Sequence, residues 1–181
     1  GIRRCQITMI IDGNDMVEDV NLGTQAYGQM SVGEAKHSAL RMGIDLPNYE
    51  GFGVMFPETG PARFIPAIVV ACADSMKARQ RGAMWARYNN EGLVIDTRAR
   101  GLEATIVTVH GRHEYIRYIA DLPTDDQIDD VPCGENGTAF GCMFVASRVA
   151  SICNIFSREG VRNLSSRETW NVERGLIIER V

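Results

Sequence analysis

The sequence has 181 residues, of which 45% are hydrophobic and 23% charged, so we expect one globular domain over residues 1–181 that folds without disulfides or metals. Its net charge of −4 argues against a nucleic-acid-binding protein, because domains that bind phosphate backbones are usually basic. The apolar runs at residues 65–73 and 139–146 are too short to span a bilayer, which argues against a membrane protein.

The cysteines and histidines do not form a recognisable metal motif. There are five cysteines, no Cys-x-x-Cys pair and three histidines, so a structural zinc site is not expected. No glycine-rich phosphate loop is present, and no cofactor is predicted. An odd number of cysteines, several of them in apolar stretches, favours a reducing compartment, and we expect a cytoplasmic protein. Glycine at position 1 suggests a trimmed or processed product.

The first third of the chain predicts two strands around one helix. Residues 5–11 are rich in β-branched residues and end at the turn-forming run that begins with Asp12. Ser31 and Glu34 have the spacing of a capping box, which predicts a helix that ends at Gly43. A second strand is predicted over residues 51–56.

The middle of the chain predicts helical and β-rich segments. Residues 63–73 are compatible with either a strand or a helix, and residues 74–88 predict a helix. Residues 93–97 predict a short strand. Alternation on both sides of the loop that contains Gly111 predicts an antiparallel hairpin between residues 103–109 and 114–120.

The last third begins with an acidic connector over residues 121–135 and continues with a strongly apolar segment. Residues 138–156 predict a largely buried helix. Ala139, Met143, Ala146, Ala150 and Cys153 lie on one stripe, and Phe140, Phe144, Ile152 and Phe156 broaden the apolar face. Ser165 and Glu168 predict a second capping box and a short helix, and residues 175–181 predict a final strand. These elements together predict an α+β fold, a mixed and largely antiparallel sheet packed with two or three helices.

One hypothesis of function is a thiol-dependent hydrolase or acyl transferase. Cys142 lies near the start of the predicted apolar helix, where the helix dipole could lower its pKa. His110 or His113 would act as the base and Asp121 would orient the imidazole. The order of histidine, acid and Gly-x-x-x-Gly-Cys resembles that of the proteases that remove ubiquitin-like modifiers, although their aromatic residue beside the histidine and glutamine before the cysteine are absent here.

The preferred hypothesis is a non-enzymatic binding or assembly domain, either a homo-oligomer or a module for a protein partner. Seventeen of the 19 basic residues are arginines, and arginine suits carboxylate pairing at interfaces. They concentrate between Arg79 and Arg100 and again after Arg158, whereas the acidic residues concentrate at 121–135. The acidic connector lacks the ligand spacing of a calcium-binding EF-hand loop. We therefore expect the acidic and arginine-rich surfaces to meet, either between subunits or within one chain.

Overall fold

The computed structural model describes residues 7–11, 15–22, 25, 27–43, 49–53, 67–86, 92–127, 138–171 and 175–179. The chain divides into two compact units, Gly1–Pro57 and Glu58–Val181. In the first unit, strands β1 (Ile7–Ile11) and β2 (Tyr49–Gly53) pair in parallel, with helix α1 (Lys36–Gly43) between them in the chain. The crossover through a helix is what a parallel pair requires, because its two strands cannot be joined by a tight turn.

The second unit is a five-stranded sheet in chain order: β3 (Ile68–Ala71), β4 (Leu93–Arg100), β5 (Glu103–His110), β6 (Arg167–Asn171) and β7 (Gly175–Glu179). Among these described strands, β3 and β4 run in parallel, and the other neighbours are antiparallel. The described part of this unit also contains the helices α2 (Met76–Ala86), α3 (Arg112–Asp121) and α4 (Thr138–Glu159). The fold is therefore α+β with a mixed, mostly antiparallel sheet, which confirms the predicted fold class.

Each face of the sheet carries its own apolar core. On one face, α2 and α3 pack against alternate residues of β4 and β5. On the other face, α4 packs against the residues in between. Alternation along β4 illustrates the division, because Val94 belongs to the first core and Leu93 and Ile95 to the second. Both faces are covered, so all three residues are fully buried.

The predicted hairpin between residues 103–109 and 114–120 is wrong in its second strand. Residues 112–121 form α3, and β5 instead pairs with β4 across a turn at Gly101 and Leu102. Tyr115, Tyr118 and Leu122 recur at helical spacing and are buried in the α2–α3 core, which favours the helix over the alternation that the same residues also show. Gly111 does have a positive φ of 87°, but at the N-cap of α3.

Both predicted capping boxes are also wrong. Ser31 ends a 3₁₀ turn, and Glu34 lies in the segment whose backbone pairs with residues near Val17, so the helix begins only at Lys36. The backbone carbonyl of Glu34 accepts a hydrogen bond from the Val17 amide at 2.8 Å. The Gly33 amide donates to the Val17 carbonyl at 2.9 Å. The segment after Ser165 forms strand β6, because β5 offers it an open edge and α4 covers one of its faces.

The long apolar helix is confirmed, but only part of its predicted buried face packs into the core, namely Phe144, Ile152, Cys153 and Phe156. Val145 and Ile152 are buried, with Phe144, Val149 and Phe156 packed beside them. Met143 is 72% exposed, and Ala146 and Ala150 are exposed as well. Residues 68–71 within the undecided segment 63–73 form a strand. None of the described helices is long and apolar enough to cross a membrane.

Candidate functional site

Cys142, the nucleophile of the thiol hypothesis, is the fifth residue of α4 and is exposed. The effect of the helix dipole is concentrated in the first turn of a helix, and Cys142 lies beyond that turn. Partial burial of the thiol, followed by the nearby thiol of Cys72, raises its pKa. A raised pKa lowers the thiolate fraction at neutral pH, which is the opposite of what activates a catalytic cysteine.

The structure does not bring the other members of the proposed triad to Cys142. Gly141, the residue before Cys142, packs against the turn between β4 and β5. A Cβ atom placed on Gly141 would lie 3.7 Å from the carbonyl oxygen of Glu103. His110 ends β5 at the other end of the strand, about 24 Å from Glu103 at the rise of an extended chain. His113 lies exposed in the first turn of α3, and Asp121 is exposed at its last residue.

Asp121 has a partner of its own on the same helix. Its carboxylate lies 3.9 Å from the Nε of Arg117, one turn earlier, and both side chains are more than two-thirds exposed. Such surface pairs contribute little to stability. The four residues of the thiol hypothesis therefore occupy separate places on the fold, and the described geometry does not assemble them into a catalytic site.

A buried charge cluster instead lies on β4, at the end of the parallel pair. Asp96 is fully buried in the middle of this strand, next to Ala71 at the carboxyl end of β3. Its carboxylate accepts hydrogen bonds from two arginines: from Nη1 of Arg79 on α2, and from Nε and Nη2 of Arg98 at 3.0 and 2.8 Å. Two guanidinium groups thus surround one carboxylate, and the cluster carries one excess positive charge.

Arg79 ties the cluster to the backbone of both parallel strands. It is 5% exposed, and its Nη1 donates to the Thr97 carbonyl at 2.8 Å and to the Ala71 carbonyl at 3.5 Å. Its Nε is buried without a hydrogen-bond partner among the described residues. A buried guanidinium with an unused donor is costly unless something completes its hydrogen bonding.

Tyr118 of α3 covers the cluster from a second helix. Its hydroxyl is buried without a hydrogen-bond partner of normal geometry in the described part of the chain. Burial first, and then the nearby Asp96 carboxylate, raise the pKa of Tyr118 well above its ordinary value. The phenol therefore stays protonated at neutral pH and is available as a donor at this site.

Arg98 is the part of the cluster that reaches solvent. Its side chain is 39% exposed, whereas that of Arg79 is 6% exposed. The nearby N-terminus of α2 is already occupied by the protein, because Asp125 accepts hydrogen bonds from the Met76 amide and the Ser75 hydroxyl. A ligand attracted by the excess positive charge would consequently meet the guanidinium of Arg98 rather than free amides of α2.

The first unit has a cation of its own at a helix start. Lys36 is the first residue of α1, where the helix dipole disfavours a positive charge. Its Nζ pairs with the Asp15 carboxylate at 2.9 Å, and its side chain is only 15% exposed. Among the residues that the structure describes, no group of three or more histidine, cysteine or acidic side chains could hold a metal ion.

The Asp96 cluster is not predicted from the sequence. The sequence places Arg79 and Arg98 in an arginine-rich surface and assigns no role to Asp96. One signal was present in the sequence: an aspartate that directly follows Leu93, Val94 and Ile95 in an apolar strand. A charged residue in such a strand is rarely buried unless a partner of opposite charge is buried with it.

No protein-family model and no curated protein matches the chain. Among solved structures, it is similar to PaaA, with a TM-score of 0.60 and 16% identity over 96% of this chain and 64% of PaaA. It is also similar to MccB of E. coli, solved with ATP, with a TM-score of 0.59 and 14% identity over 97% of this chain and 56% of MccB. The chain thus spans less than two thirds of the length of either protein. At these identities, the likeness establishes a shared fold.

Proposed function

We propose that this chain is a binding domain for a nucleotide phosphate chain, with ATP as its ligand and Arg98 as its main contact. The observation that carries the proposal is the excess positive charge of the Arg79–Asp96–Arg98 cluster. Arginine binds phosphate through two parallel hydrogen bonds, which makes it a common residue at such sites. The net charge of the whole chain is negative, so this positive cluster is a local feature.

The position of the cluster supports the proposal. In open α/β sheets, ligands bind outside the carboxyl ends of parallel strands. Here β3 and β4 are the parallel pair, and Asp96 lies beside Ala71 at the carboxyl end of β3. The fold is also shared with MccB, which was solved with ATP.

The buried partners of Arg98 would keep the site in shape. Asp96 holds two donors of its guanidinium, so little side-chain freedom remains to be lost when a phosphate binds. Arg79 keeps Asp96 neutralised when Arg98 engages a phosphate. Removal of Arg98 still leaves Asp96 with one buried cation, so the variant Arg98→Ala is expected to fold.

The test is calorimetric titration of the purified chain with Mg-ATP, ADP and AMP. We expect affinity to rise with the number of phosphates, and Arg98→Ala to weaken ATP binding by about 10–100-fold, the effect of one charged hydrogen-bonding group. Arg117→Ala is the matched control, because this arginine is exposed on α3 and, among the described residues, is paired with Asp121 at 3.9 Å. Equal affinity in the Arg98→Ala and Arg117→Ala variants, or no ATP binding at millimolar concentration, contradicts the proposal.

A further inference from the structure

Two thiols outside the charge cluster lie at one corner of the second unit. Cys72 directly follows β3, and the Thr97 hydroxyl donates to its sulfur at 3.3 Å. Thr97 points to the same face of β4 as Leu93 and Ile95, which α4 covers. The sulfur of Cys72 therefore lies beside the face of the sheet on which α4 packs.

Cys142 approaches the same corner from α4. The neighbouring Gly141 packs on β4, where an added Cβ would lie 3.4 Å from the Cβ of Ala99. Ala99 follows Thr97 by two residues on the same face of the strand, a separation of about 7 Å. Burial raises the pKa of the Cys142 thiol, and the nearby Cys72 thiol raises it further. These observations agree in placing the two sulfurs close to each other.

We propose that Cys72 and Cys142 form an intramolecular disulfide under oxidising conditions and return to thiols when reduced. Both residues are exposed, so small oxidants and reductants can reach them. With a peroxide as oxidant, one thiolate attacks the peroxide oxygen, which gives a sulfenic acid and releases one water. The second thiolate attacks that sulfur, the S–S bond forms and a second water leaves, so two thiols and one peroxide give one disulfide and two waters.

The disulfide would fasten the start of α4 to the carboxyl end of β3. The carbonyl of Ala71, adjacent to Cys72, accepts hydrogen bonds from Thr97 and Arg79. The closed bond thus constrains backbone that supports the buried cluster, without using any of its charged groups. In a reducing compartment, the pair is expected to remain as thiols and to respond only to an oxidant.

The experiment uses the full chain with Cys5, Cys133 and Cys153 replaced by serine, so that Cys72 and Cys142 are the only thiols. After treatment with hydrogen peroxide, we expect the intact mass to fall by about 2 Da, the two hydrogens lost in a disulfide. Peptide mapping should identify a Cys72–Cys142 cross-link, and dithiothreitol should reverse the mass change. The melting temperature should rise by roughly 5–10 °C on oxidation, because the bond closes a long loop.

The matched control carries the additional change Cys142→Ser, and neither the mass loss nor the rise in melting temperature should occur in it. If the triple serine variant does not fold, the wild-type chain is oxidised and then mapped after alkylation of the remaining thiols. Addition of oxygen to the sulfurs without loss of hydrogen would overturn the proposal. So would a disulfide-linked dimer as the main product, or a cross-link to another cysteine. None of these readouts depends on ATP binding.

Discussion

Arg148 of α4 and Glu168 of β6 form a bidentate ion pair. Nε of the arginine donates to one carboxylate oxygen and Nη2 donates to the other, each at 2.7 Å. Glu168 is 2% exposed, whereas the arginine side chain is 30% exposed. One turn earlier on α4, the ring of Phe144 stacks on Trp170, two residues further along β6, with ring centres 4.9 Å apart. Residues four apart on a helix share one face, and residues two apart on a strand share one face. The Arg148–Glu168 and Phe144–Trp170 contacts therefore lie next to each other between α4 and β6.

Replacement of Arg148 should be strongly destabilising. The change Arg148→Met leaves the Glu168 carboxylate buried without a cation, and we expect the free energy of unfolding to fall by about 3–5 kcal/mol. Arg158→Met, in the exposed last turn of the same helix, is the control and should change stability by no more than about 0.5 kcal/mol. Urea denaturation of both variants measures the difference. Similar stabilities would mean that the ion pair does not hold α4 to β6.

Phe144 should matter more than its neighbour Met143. Because Phe144 is half-buried and stacked on Trp170, its replacement by alanine should cost about 2–3 kcal/mol, less than for a fully buried phenylalanine. Met143→Ala should cost less than about 0.5 kcal/mol, since this side chain is 72% exposed. Thermal or chemical denaturation of the two variants tests which stripe of α4 is buried. Equal costs would contradict the burial of Phe144 and the exposure of Met143.

The two buried tyrosines of α3 should respond differently to removal of the hydroxyl. Tyr115 donates to the buried Gly92 carbonyl, so Tyr115→Phe should destabilise by about 1–2 kcal/mol. The hydroxyl of Tyr118 has no normal hydrogen-bond partner among the described residues, so Tyr118→Phe should be within about 1 kcal/mol of wild type. Denaturation of both variants at neutral pH makes the comparison. A large loss for Tyr118→Phe alone would show that its hydroxyl is hydrogen-bonded.

Tyr118 also predicts a pH dependence. Burial and Asp96 raise its folded-state pKa, so above the ordinary tyrosine value the unfolded chain loses this proton while the folded chain keeps it. The unfolded state then binds fewer protons, and stability falls as the pH rises above about 10. Tyr118→Phe should flatten this decline, measured as melting temperature between neutral and alkaline pH. An identical alkaline decline in the variant would exclude Tyr118 as its cause.

Cys142 should be alkylated slowly at neutral pH. Because burial and Cys72 raise its pKa, the thiolate fraction is small near pH 7 and increases only at more alkaline pH. The rate of carboxamidomethylation, followed on the Cys142 peptide by mass spectrometry, should therefore lie below that of free cysteine at neutral pH. Faster alkylation than free cysteine would revive the thiol-enzyme hypothesis.

Self-association through acidic and arginine-rich surfaces stays a prediction. Salt screens exposed charges over about 8–10 Å near physiological strength, so an oligomer held in this way should dissociate as salt rises from about 50 mM to about 1 M. Light scattering across the series measures the mass, and a monomer mass throughout would contradict the prediction. Charge reversal at Asp129 and Asp130, which lie outside the described residues, should weaken association at low salt. Within the described part, Asp125 is already used to cap α2.

By itself, the sequence determined the α+β class and the helix over residues 138–156, because long periodic runs and β-branched segments have a local energetic preference that survives folding. Where a segment fits both a helix and a strand, only the tertiary structure decided which of the two forms. Tyr115 and Tyr118 fit a strand or a helix equally well, and burial against β4 and β5 selected the helix. Glu168 fits a helix cap or a buried strand, and the partner Arg148, twenty residues away in the chain, selected the strand. The cluster around Asp96 likewise depends on side chains from separate elements, so no local pattern could predict its assembly.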